Sequence, residues 1–131
     1  MLKRTLSSHL EHIINNFPVV LVTGPRQVGK STLLENFRPD KYKVVTLDDL
    51  DERELAIKDP ALFLQNHQPP VLIDEVQYAP NLFSYIKIYV DKHKGEKGLF
   101  LLTGSQKFVL MKGVQETLAG RVAILDLLGL S

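Results

Sequence analysis

The sequence predicts an α/β fold, a three-layer sandwich with a parallel five-stranded sheet flanked by helices. Five short apolar runs, at 19–22 (VVLV), 42–47 (YKVVTL), 71–73 (VLI), 99–103 (LFLLT) and 121–128 (RVAILDLL), alternate with stretches of helical periodicity. Strands separated by helices pair in parallel through right-handed crossovers. The first run is continuously apolar and β-branched, as befits a strand covered on both faces.

Each element has its own signal. Leu2, Leu6, Leu10, Ile13 and Ile14 recur at helical spacing and stop at Asn15, Asn16 and Pro18, giving an N-terminal helix over 1–16. The segment 30–37 reads as a helix that ends before Pro39, and 51–64 as mostly helical with a break at Asp59-Pro60. QNHQPP (65–70) is a turn, Leu82, Ile86 and Val90 mark another helix that runs into the loop KGEKG, and a shorter helix is expected at 113–119.

The chain has 131 residues, 44% of them hydrophobic, which suits one packed domain rather than two. Sixteen Lys and Arg against fifteen Asp and Glu leave a formal charge of +1, so no long-range field points to nucleic acid or an anionic membrane. Without cysteine there are no disulfides and no Cys-based metal centres. No apolar run approaches the roughly 20 residues that cross a bilayer, and the N-terminus lacks a signal-peptide core. The expectation is a soluble, cytoplasmic protein.

Between the first strand and the following helix lies Gly24-Pro25-Arg26-Gln27-Val28-Gly29-Lys30-Ser31, a match to G-x-x-x-x-G-K-[ST] in the context that this motif requires. Average residue frequencies give about four chance matches per thousand chains of this length, before the strand–helix context is counted. Gly24 and Gly29 free the backbone so that successive N–H groups wrap phosphates at a helix N-terminus. Lys30 brings a point charge to the β- and γ-phosphates, and the Ser31 hydroxyl is placed to ligate Mg²⁺. Arg26 is a further candidate phosphate contact.

The third strand runs directly into Asp74-Glu75, two carboxylates at the edge where parallel sheets bind ligands. Asp74 is the candidate for Mg²⁺ and Glu75 for the attacking water. Taken alone, the pair could equally end a strand and open a turn. The fourth strand ends in Thr103-Gly104-Ser105-Gln106, where Thr103, Ser105 or Gln106 could sense the γ-phosphate if this strand lies between the first and third. Asp48 and Asp49 follow the second strand at the same edge, as metal ligands or, more simply, as caps of the next helix. The four histidines are scattered, and the lysines around 87–97 read as a solvated face.

With these elements in order, the chain resembles AAA+-type ATPases. GPRQVGKSTLL, VTLDD, DPALFL, VLIDEVQYAPNLF, LLTGSQ and LAGRVAIL are similar to segments of a family of bacterial and archaeal AAA-like ATPases, and the similarity covers nearly the whole chain. The resemblance implies a sheet of order 5-1-4-3-2, ATP and Mg²⁺ as cofactors, a phosphate site from Gly24 to Thr32, and metal and water roles for Asp74 and Glu75. It implies a sensor at Ser105 or Gln106, and an arginine finger at Arg121, acting in cis or toward a second copy in a homo-oligomer. Without the family, Arg121 is an ordinary surface arginine. Family members generally carry a further C-terminal domain, so the resemblance implies a core of 1–131 without it and leaves the protein partner open. A non-catalytic nucleotide-binding module and, less readily, a P-loop phosphotransferase are the alternatives. A GTPase is disfavoured, because TGSQ stands where Asn-Lys-x-Asp would read guanine.

Overall fold

The computed structural model describes residues 2–25 and 41–127, with side chains from residue 8 onward. In chain order the elements are α1 (Leu2–Asn16), β1 (Val19–Thr23), β2 (Lys43–Thr46), α2 (Leu50–Lys58), α3 (Pro60–Asn66), β3 (Val71–Asp74), α4 (Leu82–Lys92), β4 (Phe100–Gly104), α5 (Lys107–Thr117) and β5 (Val122–Asp126). A short 3-10 turn, Val76–Tyr78, follows β3. The helix expected at 30–37 lies outside the described residues.

The strands lie in the order β2-β3-β4-β1-β5 and every pair is parallel, as the resemblance implied. Side-chain alternation divides β1 between two cores. Val19 and Leu21 join the larger core with Phe63, Leu82, Phe83, Ile86 and Leu110 from the helices on that face. Val20 and Val22 face the opposite way, against Leu10, Ile13 and Ile14 of α1. Apolar residues on both faces of one strand require covering layers on both, which is why the run 19–22 is uninterrupted.

The turn before β4 is fixed to the start of β1. Gly98 N–H donates to Phe17 O at 2.9 Å, Leu99 N–H to Pro18 O at 2.9 Å, and the Tyr42 hydroxyl donates to Gly98 O at 2.6 Å. Gly98 has φ 63°, and a Cβ there would stand 2.7 Å from the Ile14 side chain, so both backbone conformation and space demand glycine.

Two expectations need correction. The last helix begins at Lys107, six residues before the expected start at Gly113, which lies inside it. Gly113 is where α5 meets α4, since a Cβ on it would approach the Phe83 ring to 2.8 Å. Its role is close packing and not initiation. β5 begins one residue after Arg121 and ends at Asp126, before Leu127 of the expected run, whose last residue, Leu128, lies outside the described residues.

Asp59, where the break was expected, serves two helices. Its N–H donates to Leu55 O at 2.8 Å, closing α2, and its carboxylate accepts from Leu62 N–H at 3.1 Å, opening α3 with Pro60 in the first turn. Asp59→Ala is expected to lower unfolding free energy by about 1 kcal/mol in urea denaturation, with an unchanged m-value.

Candidate active site

β1, β3 and β4 end together at the C-terminal edge of the sheet, with Thr23 in register with Gly104 and Ile73 with Leu102. Ligands of open α/β sheets bind at this edge, where crossovers depart to opposite faces. The chain enters the phosphate-loop segment from here, and Gly24 N–H donates to Gly104 O at 3.2 Å, extending the β1–β4 pairing by one residue. Gly24 is buried and Pro25 half-buried. Arg26, Gln27, Val28, Gly29, Lys30, Ser31 and Thr32 lie outside the described residues.

Asp74 closes β3 and is 8% exposed. Each of its carboxylate oxygens accepts a hydroxyl from a neighbouring strand: Thr103 Oγ1 donates to Oδ1 at 2.6 Å and Thr46 Oγ1 to Oδ2 at 2.7 Å. Backbone pairing supports the same point, because Leu47 N–H donates to Asp74 O at 3.0 Å. An ionised carboxylate offers about four lone-pair positions, so these two bonds orient Asp74 without exhausting it.

Glu75 is 2% exposed and takes the left-handed conformation, φ 56° and ψ 48°. For a residue with a Cβ this costs about 1–2 kcal/mol, and polar contacts on backbone and side chain hold it. Its N–H donates to Thr103 Oγ1 at 3.3 Å, while its Oε1 accepts from Gln77 Nε2 at 2.7 Å and Ser105 Oγ at 2.9 Å. The turn sends Glu75 away from the strand's alternation, so the two carboxylates are held by different side chains, Asp74 by Thr46 and Thr103 and Glu75 by Gln77 and Ser105, while Thr103 also takes the Glu75 N–H.

The two acids after β2 divide their roles. Asp49 caps α2, accepting from Asp51 N–H at 2.9 Å and Glu52 N–H at 3.3 Å. Asp48 remains with the site: carboxylate oxygens of Asp48, Asp74 and Glu75 lie within 4.8 Å of one another. This all-oxygen set suits a hard divalent cation such as Mg²⁺, which takes one or two carboxylates and keeps several waters. At the rim, Arg53 lies 3.7 Å from the Tyr78 ring centroid and its Nε donates to Leu47 O at 2.8 Å.

Of the sensor candidates, Ser105 is brought to Glu75 and Thr103 to both acids, whereas Gln106 is exposed at the start of α5. Arg121 is not brought to the site. It precedes Val122, which pairs with Val19 at the opposite edge of the sheet, four residues or about 13 Å along the strand from the edge that carries the acids. There its Nε donates to Asp91 Oδ1 at 2.8 Å, its Nη2 to Oδ2 at 3.1 Å, and its Nη1 to Ala119 O at 2.9 Å. An arginine finger in cis is incompatible with this register. Thr46 and Gln77 were not singled out in the sequence. Only the pairing of β2 with β3 and the turn after Glu75 bring them in.

A model of the AAA domain family matches residues 16–131. The chain belongs to the AAA domain family. With that membership comes a nucleotide-binding, ATPase-like function class. Two uncharacterized mycobacterial proteins, Mb2031c of Mycobacterium bovis and Rv2008c of Mycobacterium tuberculosis, are each 35% identical to this AAA domain over 131 residues. The match spans 98% of this chain and 29% of theirs. Among solved structures, the fold is similar to a Walker-type ATPase of Pyrococcus abyssi, at a TM-score of 0.66 and 20% identity over 95% of this chain and 53% of that one. It is also similar to a Thermotoga maritima RuvB mutant, at a TM-score of 0.53 and 18% identity over 95% and 44%. At these identities the likeness concerns the fold. Among the described residues no helix is long and apolar enough to cross a membrane.

The Arg121–Asp91 pair ties β5 to α4. Hydrogen bonding from Arg121 holds the Asp91 carboxyl below its usual range against an opposing desolvation, with smaller help from the charges of Arg121, Lys87 and Lys94. A carboxyl lowered on folding adds stability above its unfolded pKa and loses it as pH falls through the folded value. Asp91→Asn is therefore expected to lower the thermal midpoint by no more than a few degrees at neutral pH, since the pair is exposed. That difference should close as pH falls below about 4, as read by thermal melts across a pH series.

Proposed function

We propose that this AAA domain binds ATP with Mg²⁺ at the C-terminal edge of β1, β3 and β4 and hydrolyses it to ADP and phosphate. The observation that carries this reading is the separate anchoring of two adjacent acids, Asp74 by Thr46 and Thr103, and Glu75 by Ser105 and Gln77. Both stand beside the strand end from which Gly24 opens the phosphate loop. A metal-assisted attack by water uses one carboxylate for the metal and a second for the water.

In this scheme the backbone from Gly24 through Thr32 wraps the phosphates, Lys30 offsets the charge of the β- and γ-phosphates, and Ser31 with Asp74 holds the metal. Asp48 is close enough to accept a hydrogen bond from a metal-bound water. Magnesium, when bound, neutralises phosphate charge and keeps the terminal phosphate in line for displacement. Glu75 orients the attacking water and accepts its proton, and Ser105 holds the Glu75 carboxylate in place.

The test is Mg²⁺-dependent phosphate release from ATP and GTP, measured with nucleotide binding. Wild type is expected to release phosphate with a preference for ATP. Lys30→Ala should lose both affinity and turnover, and Glu75→Gln should keep ATP binding while turnover falls roughly 100-fold. Full turnover in Glu75→Gln would remove the glutamate from the mechanism.

The placement of Arg121 favours a second reading for the free chain. With that guanidinium at the far edge, an arginine for the transition state would come from Arg26 or from a second copy. A single copy would then be chiefly a nucleotide-binding module. Specific activity that rises with protein concentration is the expected sign of the second copy; a constant value counts against it.

A further inference from the structure

Gln77 follows the acid pair by two residues and is 6% exposed. Its Nε2 lies 2.7 Å from Glu75 Oε1 and 3.4 Å from Ser105 Oγ, and Ser105 itself donates to the same Oε1 at 2.9 Å. A carboxylate accepts and cannot donate when ionised, so the amide nitrogen must face Glu75 and the amide oxygen must turn away. That oxygen is buried and has no hydrogen-bond partner among the described residues. It lies against β4, because a Cβ on Gly104 would come within 2.6 Å of it.

A buried amide oxygen without a donor carries a desolvation cost that an apolar side chain of the same length would avoid. The amide is thus a poor choice for stability alone, and its nitrogen is engaged with the residue proposed to act on water. Two donors on one oxygen select a single rotamer of Glu75 and keep the chain in the left-handed turn that aims it. We propose that Gln77 is a positioning residue for ATP hydrolysis, acting through Glu75 and shared with Ser105. This rests on the hydrolase reading above.

The experiment compares wild type, Gln77→Met, Gln77→Glu and Glu75→Gln by kcat and KM for Mg²⁺-ATP, by direct ATP binding and by thermal midpoint. Gln77→Met keeps the length and removes the donor; kcat is expected to fall about tenfold, while KM and ATP affinity stay within about twofold. Its midpoint should stay within a few degrees of wild type, because the bond lost at the buried Glu75 carboxylate and the burial cost relieved at the amide oxygen oppose each other; a merely structural role would lower the midpoint and leave kcat unchanged. Gln77→Glu sets a carboxylate against Glu75 and should lose at least as much kcat with ATP binding kept; this second variant carries the test if Gln77→Met fails to fold. Wild-type kcat in the Gln77 variants, or losses that track affinity or midpoint, would overturn the positioning role alone. No hydrolysis by wild type, or full hydrolysis by Glu75→Gln, would instead overturn the underlying reading, and the positioning role with it.

Discussion

Thr103 is wholly buried in β4, and its hydroxyl donates to the Asp74 carboxylate while accepting the Glu75 amide hydrogen. One oxygen thereby sets the position of both acids, a function available to a side chain that donates and accepts at once. Valine would fill the same space and satisfy neither neighbour. The arrangement requires β4 to lie beside β3, and the chain achieves this by taking β4 between β3 and β1. Sheet order is therefore the condition on which the site's chemistry depends.

The same edge is tightly packed. Gly104 ends β4 where a Cβ would meet Leu110 of α5 at 2.2 Å and the Gln77 amide at 2.6 Å. Its lack of a side chain lets β4, the helix after it and the turn after Glu75 converge on one point. At the opposite edge Arg121 clamps the start of β5 to α4 through Asp91.

How much of this was legible in the sequence follows from the range of the interactions. The strand cores, the loop Gly24 to Ser31 and the pair Asp74-Glu75 are local patterns, and the sheet order came with the family resemblance. Glu75's left-handed backbone leaves no mark on composition, and the bonds from Thr46 and Gln77 depend on register and on a turn three residues long. Asp48 and Asp49 look alike in the chain; one capping geometry assigns Asp49 to α2 and leaves Asp48 with the acids. The place of Arg121 at the start of the fifth strand was legible, but its bond to Asp91, thirty residues away, was not. The last helix was expected to begin near Gly113, whereas α5 runs through this glycine and contact with Phe83 decides its position.

The most direct measurement is anomalous diffraction from Mn²⁺ bound with a slowly hydrolysed ATP analogue. The account predicts one manganese peak beside Asp74, in direct or water-mediated contact, with the terminal phosphate one water away from Glu75. Manganese and nucleotide bound away from the C-terminal ends of β1, β3 and β4 would contradict it.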